Sequence, residues 1–413
     1  MTRGRFILTP GVECDEDNTT KHYSVFATQN TNSPDEAKET KEIFSDPQVC
    51  GALFLQHHMM SYCTHARKHI ALPREDIIRN IQSVQAVNAF RVNNGHTPIF
   101  CAFDAEPAPV QARRYVHNPP EWPIDPFEQA EYLYQQVQSG AFSKFIEDVI
   151  GQKGYYPMLP SNQTLGLIAE KDVHKALIIA QAVGSITGRV MGALGINMLF
   201  APVCDLGAQA FPERCYSKDK QITIGLATAW CKGALDQEGI DKICLKHAPG
   251  HGVEINRGST NNQDTHNTEC YTHEPVESIG KHLSVFREII DQITESGYDP
   301  KAITVMTNHI IYTAIDALDP VSSSSQVIQY LKENLPDGID LIADCINMAS
   351  FSKDRNLFVE RLKQCRDLHS GGVIATTHYV KQMGRRELLS LDKDHATTHQ
   401  ELFCSNGIEY GKS

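Results

Sequence analysis

The chain has 413 residues, of which 41% are hydrophobic and 21% charged, and a formal net charge of −12. That composition supports a large buried core. The negative balance, with Lys and Arg scattered rather than clustered, excludes a general nucleic-acid binder, because backbone phosphates would be repelled.

The N-terminal MTRGRFILTPG has only Phe6-Ile7-Leu8 as an apolar stretch, too short for a signal-peptide core. No run approaches the ~18–20 consecutive apolar residues of a membrane span, so a cytoplasmic protein without membrane contact is expected. The 12 cysteines are irregularly spaced, form no C-x-x-C pair, and several (Cys101, Cys204, Cys244, Cys345) sit inside apolar runs. Buried, reduced thiols fit that pattern better than disulfides.

In chain order, short continuous apolar runs recur at FILTP (6–10), GALFL (51–55), IFCAFD (99–104), MLFAPV (198–203), ICLKHA (243–248), ITVMTNH (303–309), IDLIAD (339–344) and GVIATTH (372–378). Continuous rather than alternating, they read as strands of a parallel sheet buried on both faces. Amphipathic stretches lie between them at 74–90, 174–194, 223–239 and 352–368. Eight strands alternating with helices predict an α/β fold, a single-domain TIM-like (β/α)8 barrel with loop insertions over 1–413; a doubly wound open sheet is the main alternative. The Pro- and aromatic-rich segment 105–172 reads as a long loop excursion containing a helix at about 125–150. Residues 379–413 suffice for a closing helix and a tail.

Polar residues gather at the C-terminal ends of these runs: Asp104, Asp205, Lys246-His247, Asn308-His309, Asp344 and Thr377-His378. In a (β/α)8 barrel those ends form the face on which active sites are built. The densest cluster is KHAPGHG (246–252), followed by DTH (264–266). As a zinc site, His247, His251, Asp264 and His266 are suitable ligand types, but their spacing matches no standard pattern. A solvated Pro-Gly turn is the bland reading. An active-site loop is the third, with Lys246 and His247 facing substrate and Asp264-Thr265-His266 supplying an acid/base.

KHAPGHG with DTH resembles the K-H-F-P-G-H-G…D-[ST]-H signature of family three glycoside hydrolases, in the bacterial β-N-acetylglucosaminidase branch. LFAPVCDLG (199–207) is similar to F-A-P-V-x-D-x-G, and ERCYS (213–217) to E-R-S-[FY]. VMTNHIIYTAID (305–316) resembles V-M-x-A-H-[VI]-x-Y-x-x-[VI]-D, and IADCINMAS (342–350) the nucleophile segment [ST]-D-x-[LM]-x-M. The motifs keep their order from roughly Gly51 to His378.

The resemblance implies Asp344 as nucleophile and His266 as general acid/base, paired with Asp264. It implies Arg214, Lys246 and His247 as residues holding the sugar, and Asp104 as a carboxylate binding hydroxyls at the blind end of the pocket. A retaining glycosidase needs one ionised carboxylate and one group that gives, then takes, a proton. An imidazole, with its ordinary pKa of about 6.5, suits the second role. Asp264 can accept its other N–H, as the third member of a catalytic triad does. The loop 256–262, rich in Gly, Asn and Thr, would let the pair move over the sugar.

Two departures stand out. Ala248 replaces the Phe of K-H-F-P, and V-D-Q-E-G-G-R-V-Q reads FDAEPAPVQ (103–111), with Pro107 and Ala108 for both glycines and Pro109 for the arginine. Proline fixes φ and removes a donor, so the loop after strand three must take another path.

By resemblance the expected enzyme is a cytosolic, exo-acting β-N-acetylglucosaminidase, requiring no cofactor or metal. It would act on small carbohydrates, namely anhydromuropeptide fragments of cell-wall recycling. Members with β-glucosidase activity generally carry a second domain, which also favours this branch. Phosphorolysis, with phosphate as acceptor, and a sugar-binding paralogue with impaired catalysis are the alternatives.

Overall fold

A computed structural model describes residues 100–108, 118–208, 211–253, 255, 265–266, 268–346, 348–351 and 355–376, together with 5–8, 12–14, 20–21, 49–54, 60–63, 68–71 and 92. Its centre is a curled, all-parallel sheet. The strands are β1 (Arg5–Leu8), β2 (Val49–Phe54), β3 (Phe100–Phe103), β4 (Met198–Leu199), β5 (Lys242–Ala248), β6 (Ile303–Thr307), β7 (Asp340–Cys345) and β8 (Gly372–Thr376). Each apolar run read from the sequence supplies one of them. The strands pair in chain order, and β1 pairs with both β2 and β8. A doubly wound sheet would instead reverse its order at a switch point.

Helices follow the strands. Between β3 and β4 lie α1 (Pro126–Gln138), a helical turn at Phe142–Lys144 running into a π-helix at Phe145–Gln152, α2 (Asn162–Ala169) and α3 (Val173–Leu194). Then come α4 (Lys220–Leu235), α5 (Val276–Glu295), α6 (Ser325–Asn334) and α7 (Arg355–Leu368), each leading into the next strand of the sheet. Their starts are written locally. Asp125 accepts from the N–H groups of Phe127 and Glu128 with Pro126 at the first helical position, and Asp172 caps α3 through Lys175 N–H. On α5, Ile279, Leu283, Phe286, Ile290 and Ile293 recur every three or four residues and are buried.

By length and composition α3 could cross a membrane, contrary to the expectation from the sequence that no run approaches a span. Here most of it is buried, and it packs chiefly against α4. The predicted helix at 74–90 and the segment 379–413 lie outside the described residues.

The described part of the Pro- and aromatic-rich excursion holds α1, the helical segment 142–152 and α2, and its connecting stretches pack on one another. Trp122 Nε1 donates to Met158 O at 2.8 Å, and its ring lies 5.2 Å from Tyr132 and 6.1 Å from Phe145. Met158 N–H in turn donates to Asn118 Oδ1 at 2.7 Å, so the two proline-rich ends are tied together.

The inward rows of the sheet position the site. Ala102, Met198, Cys244, Met306, Ile342 and Ile374, one from each of β3 to β8, form a cluster with Phe200. Side chains alternate along a strand, so the residue two further on faces the same way. From Ala102, Cys244, Met306 and Ile342 that step reaches Asp104, Lys246, Asn308 and Asp344. The apolar filling of the sheet therefore ends in a layer of polar side chains at the C-terminal ends of the strands.

Candidate active site

The layer is organised by buried charge. Lys246, 2% exposed, places Nζ 2.6 Å from Asp104 Oδ1 and 2.6 Å from Glu106 Oε1. Glu106, also 2% exposed, grips Arg214 from below: Nε lies 2.6 Å from Oε2 and Nη2 2.8 Å from Oε1. Two-point guanidinium–carboxylate pairing of this kind fixes orientation as well as charge. Asp104 and Glu106 stand two apart in an extended segment after β3, so both side chains reach Lys246. The proline-altered loop thus keeps its carboxylates on the two cations.

Burial would raise the Glu106 carboxyl, but Arg214 and Lys246 bring it from its ordinary 4.5 down to about 2. Burial likewise disfavours the Lys246 ammonium, and Asp104 and Glu106 more than compensate, raising its pKa. Both cations stay charged, as does Glu106.

A second buried carboxylate holds His247. Asp205, fully buried, accepts from His247 Nδ1 at 2.8 Å and from the His251 backbone N–H at 2.7 Å. With its proton on Nδ1, His247 turns Nε2 towards Arg214 Nη2, 3.4 Å away. Despite burial, the neighbouring His247 and the donated hydrogen bonds hold Asp205 well below the usual carboxylate range.

His251 serves as a packing residue of the turn. Its ring lies buried 5.1 Å from His247 and 5.2 Å from Phe211, and burial lowers its pKa to about 3, so it is neutral. The glycines of PGHG are demanded by this packing. A Cβ on Gly252 would lie 2.3 Å from Leu206 O and 2.8 Å from His282 Cε1, and Gly250 has φ +145°.

Asp344, half-buried at the end of β7, accepts from the Cys345 N–H at 2.7 Å. Burial pushes its pKa up; His247, His309, that N–H and Lys246 outweigh it and hold the carboxyl ionised, below its ordinary value. Next to it, His309 Nε2 donates to Cys345 O at 3.0 Å, while Nδ1 accepts from Ser322 Oγ at 2.6 Å.

The structure therefore brings together Asp344, Asp104, Lys246, His247 and Arg214. Asp264 lies outside the described residues, as does the loop 256–262. His266 is exposed at the rim; its carbonyl accepts from Ala349 N–H at 3.2 Å, on the loop that follows Asp344. Among the described residues no group of three His, Cys, Asp or Glu side chains is arranged to hold a metal ion.

Neither Glu106 nor Asp205 has a role in the sequence motifs above. Glu106 was legible as the second acidic residue of an extended D-x-E, and Asp205 as a strand-end carboxylate beside the KH of the neighbouring strand. Chemically, the site offers an ionised carboxylate beside two cations and an oriented imidazole, with a histidine at its mouth.

The model of the glycosyl hydrolase family 3 N terminal domain matches residues 146–379. The altered FDAEPAPVQ loop precedes that span. A beta-hexosaminidase of Pasteurella multocida is 28% identical over 212 residues, covering 51% of this chain and 55% of the relative. The alignment thus spans about half the length of such curated relatives. Among solved structures, a family 3 beta-N-acetylglucosaminidase from a Paenibacillus species superposes with TM-score 0.61 at 20% identity, over 94% of this chain and 56% of that one. NagZ from Neisseria gonorrhoeae, in complex with N-trifluoroacetyl-D-glucosamine, gives TM-score 0.61 at 18% identity, over 93% and 85%.

Proposed function

Because the chain belongs to glycosyl hydrolase family 3, we propose that it is a retaining exo-β-N-acetylglucosaminidase built on a complete single-domain (β/α)8 barrel. The observation that carries this reading is Asp344, kept ionised at a strand end beside Lys246, His247 and His309.

In this reading the Asp344 carboxylate attacks the anomeric carbon and forms a C–O bond to it. The glycosidic bond breaks, and the departing oxygen takes a proton from the His266 imidazolium, which Asp264 stabilises. Water then attacks the same carbon, gives its proton to His266, and Asp344 leaves as carboxylate, so configuration is retained. Arg214, Lys246, His247 and Asp104 hold the sugar hydroxyls. Fixing those donors and acceptors before the sugar arrives is where Glu106 and Asp205 contribute.

The terminal sugar is N-acetylglucosamine, as the names of the relatives suggest, and the natural substrates are muropeptide fragments in a cytoplasmic recycling route. Water is the acceptor in this reading; the alternative acceptor is phosphate, which a neutral imidazole at 266 would not repel. A panel of chromogenic β-glycosides, assayed with and without phosphate, tests the reading. Turnover should be confined to the N-acetylglucosaminide and yield free sugar in both conditions. Sugar 1-phosphate, or turnover of the glucoside alone, would overturn it.

A further inference from the structure

Ser350 lies six residues past Asp344 and is fully buried, with its hydroxyl and its backbone N–H both engaged. Its Oγ–H donates to His309 O at 2.6 Å, and the same Oγ accepts from Cys270 N–H at 3.1 Å. Its backbone N–H donates to Thr265 O at 3.0 Å, one rung beside the 3.2 Å bond from Ala349 N–H to His266 O. Thr265 is itself buried, and its hydroxyl lies 3.7 Å from Met348 Sδ.

Three separate stretches therefore meet at one hydroxyl: the segment carrying His266, the strand end carrying His309, and the loop carrying Asp344. His309 closes the circuit, since its Nε2–H donates to the carbonyl of Cys345, whose N–H holds Asp344. The sequence reading placed the acid/base on a loop free to move over the sugar. At Thr265–His266 that segment is instead tied by backbone hydrogen bonds to the loop behind Asp344.

We propose that Ser350 is a positioning residue that locks the acid/base segment 265–270 against the Asp344 loop, and so sets the reach between proton donor and nucleophile. The proposal rests on the glycosidase reading above. An alanine at 350 would leave the Cys270 N–H and His309 O without their shared partner in a buried place, so that the junction loosens at Cys270 and shifts His266 on the two backbone bonds that remain.

Leaving-group dependence separates this role from a merely structural one. An alkyl aglycone cannot depart without a proton, whereas a dinitrophenolate departs unaided. Displacing His266 should therefore slow only the first substrate, provided Asp344 stays in place. In the full chain, Ser350→Ala should lower kcat/KM for an alkyl β-N-acetylglucosaminide by about 10–100-fold, the size of a misplaced general acid. For the dinitrophenyl glycoside the loss should stay within about threefold, since proton donation contributes little to its departure. Ser350→Thr, which keeps the hydroxyl, should restore the alkyl rate. If Ser350→Ala does not fold, the same ratio is read on Ser350→Cys, whose thiol is a weaker donor. Equal losses on both substrates, or no loss on the alkyl glycoside, would overturn the proposal. A parent chain that cleaves neither glycoside would defeat the glycosidase reading itself, and the proposal with it.

Discussion

Glu106→Gln is the most informative single change in the site. It keeps the side-chain volume but turns one accepting oxygen into an NH2 group facing two cations. The carboxylate meets Arg214 at 2.6 Å and 2.8 Å and Lys246 at 2.6 Å on a side chain 2% exposed, so the change removes the charge from all three contacts and the acceptor from those of one oxygen. A carboxyl brought from 4.5 to about 2 corresponds to about 3 kcal/mol at 1.36 kcal/mol per pH unit. Removing one partner of a buried ion pair costs about 3–5 kcal/mol, and Lys246 keeps Asp104, which places the expected loss near the lower figure. The sign follows from the depressed folded value. This stabilisation is present above the ordinary 4.5 and is lost as pH falls towards about 2. Urea denaturation across that range should show the variant about 3 kcal/mol weaker at neutral pH, with the difference shrinking in acid. Loosened Arg214 and Lys246 should also cost roughly 100-fold in kcat/KM. A variant within about 0.5 kcal/mol of the parent at neutral pH would show that Glu106 does not hold the two cations.

Three further outcomes follow from the same geometry. Asp205→Asn removes the charge and leaves one oxygen for two donors, His247 Nδ1 and the His251 N–H, and should lower stability by about 1–3 kcal/mol and reduce kcat/KM; an unchanged melting temperature would refute the clamp. Gly252→Ala drives a methyl against Leu206 O and should cost about 1–3 kcal/mol in a thermal melt, whereas a neutral result would mean the turn can yield. His251 has a folded pKa of about 3 against an ordinary 6.5, so the unfolded chain takes up its proton first. Stability should therefore fall as pH drops from 6.5 towards about 3, and His251→Gln should flatten that limb of the curve; an unchanged slope would place the acid sensitivity elsewhere.

The sheet was legible because strands buried on both faces need unbroken apolar runs, and each such run became a strand. MLFAPV shows the limit. Only Met198–Leu199 pair as a strand, since Pro202 lacks a donor and pairing beyond it shrinks to a bridge from Val203 to Lys246. The strand-end polar residues were legible for the same reason, because two-residue alternation carries the inward row from Ile342 to Asp344. What the sequence hid are contacts between distant segments. Nothing local marks Glu106 as the partner of Arg214, 108 positions away, or Ser350 as the partner of Cys270, 80 positions away. Within the excursion 105–172 the sequence likewise did not show that Trp122 would tie the segment around 158 to the helix carrying Tyr132.

The central claim is that Asp344 is the nucleophile of a β-N-acetylglucosaminidase. Its most direct test is the rate at which the parent chain and Asp344→Ala release nitrophenol from the nitrophenyl β-N-acetylglucosaminide. Steady turnover by the parent and a loss of at least about 1,000-fold in the variant are expected of a nucleophile. Equal rates from the two proteins would contradict it.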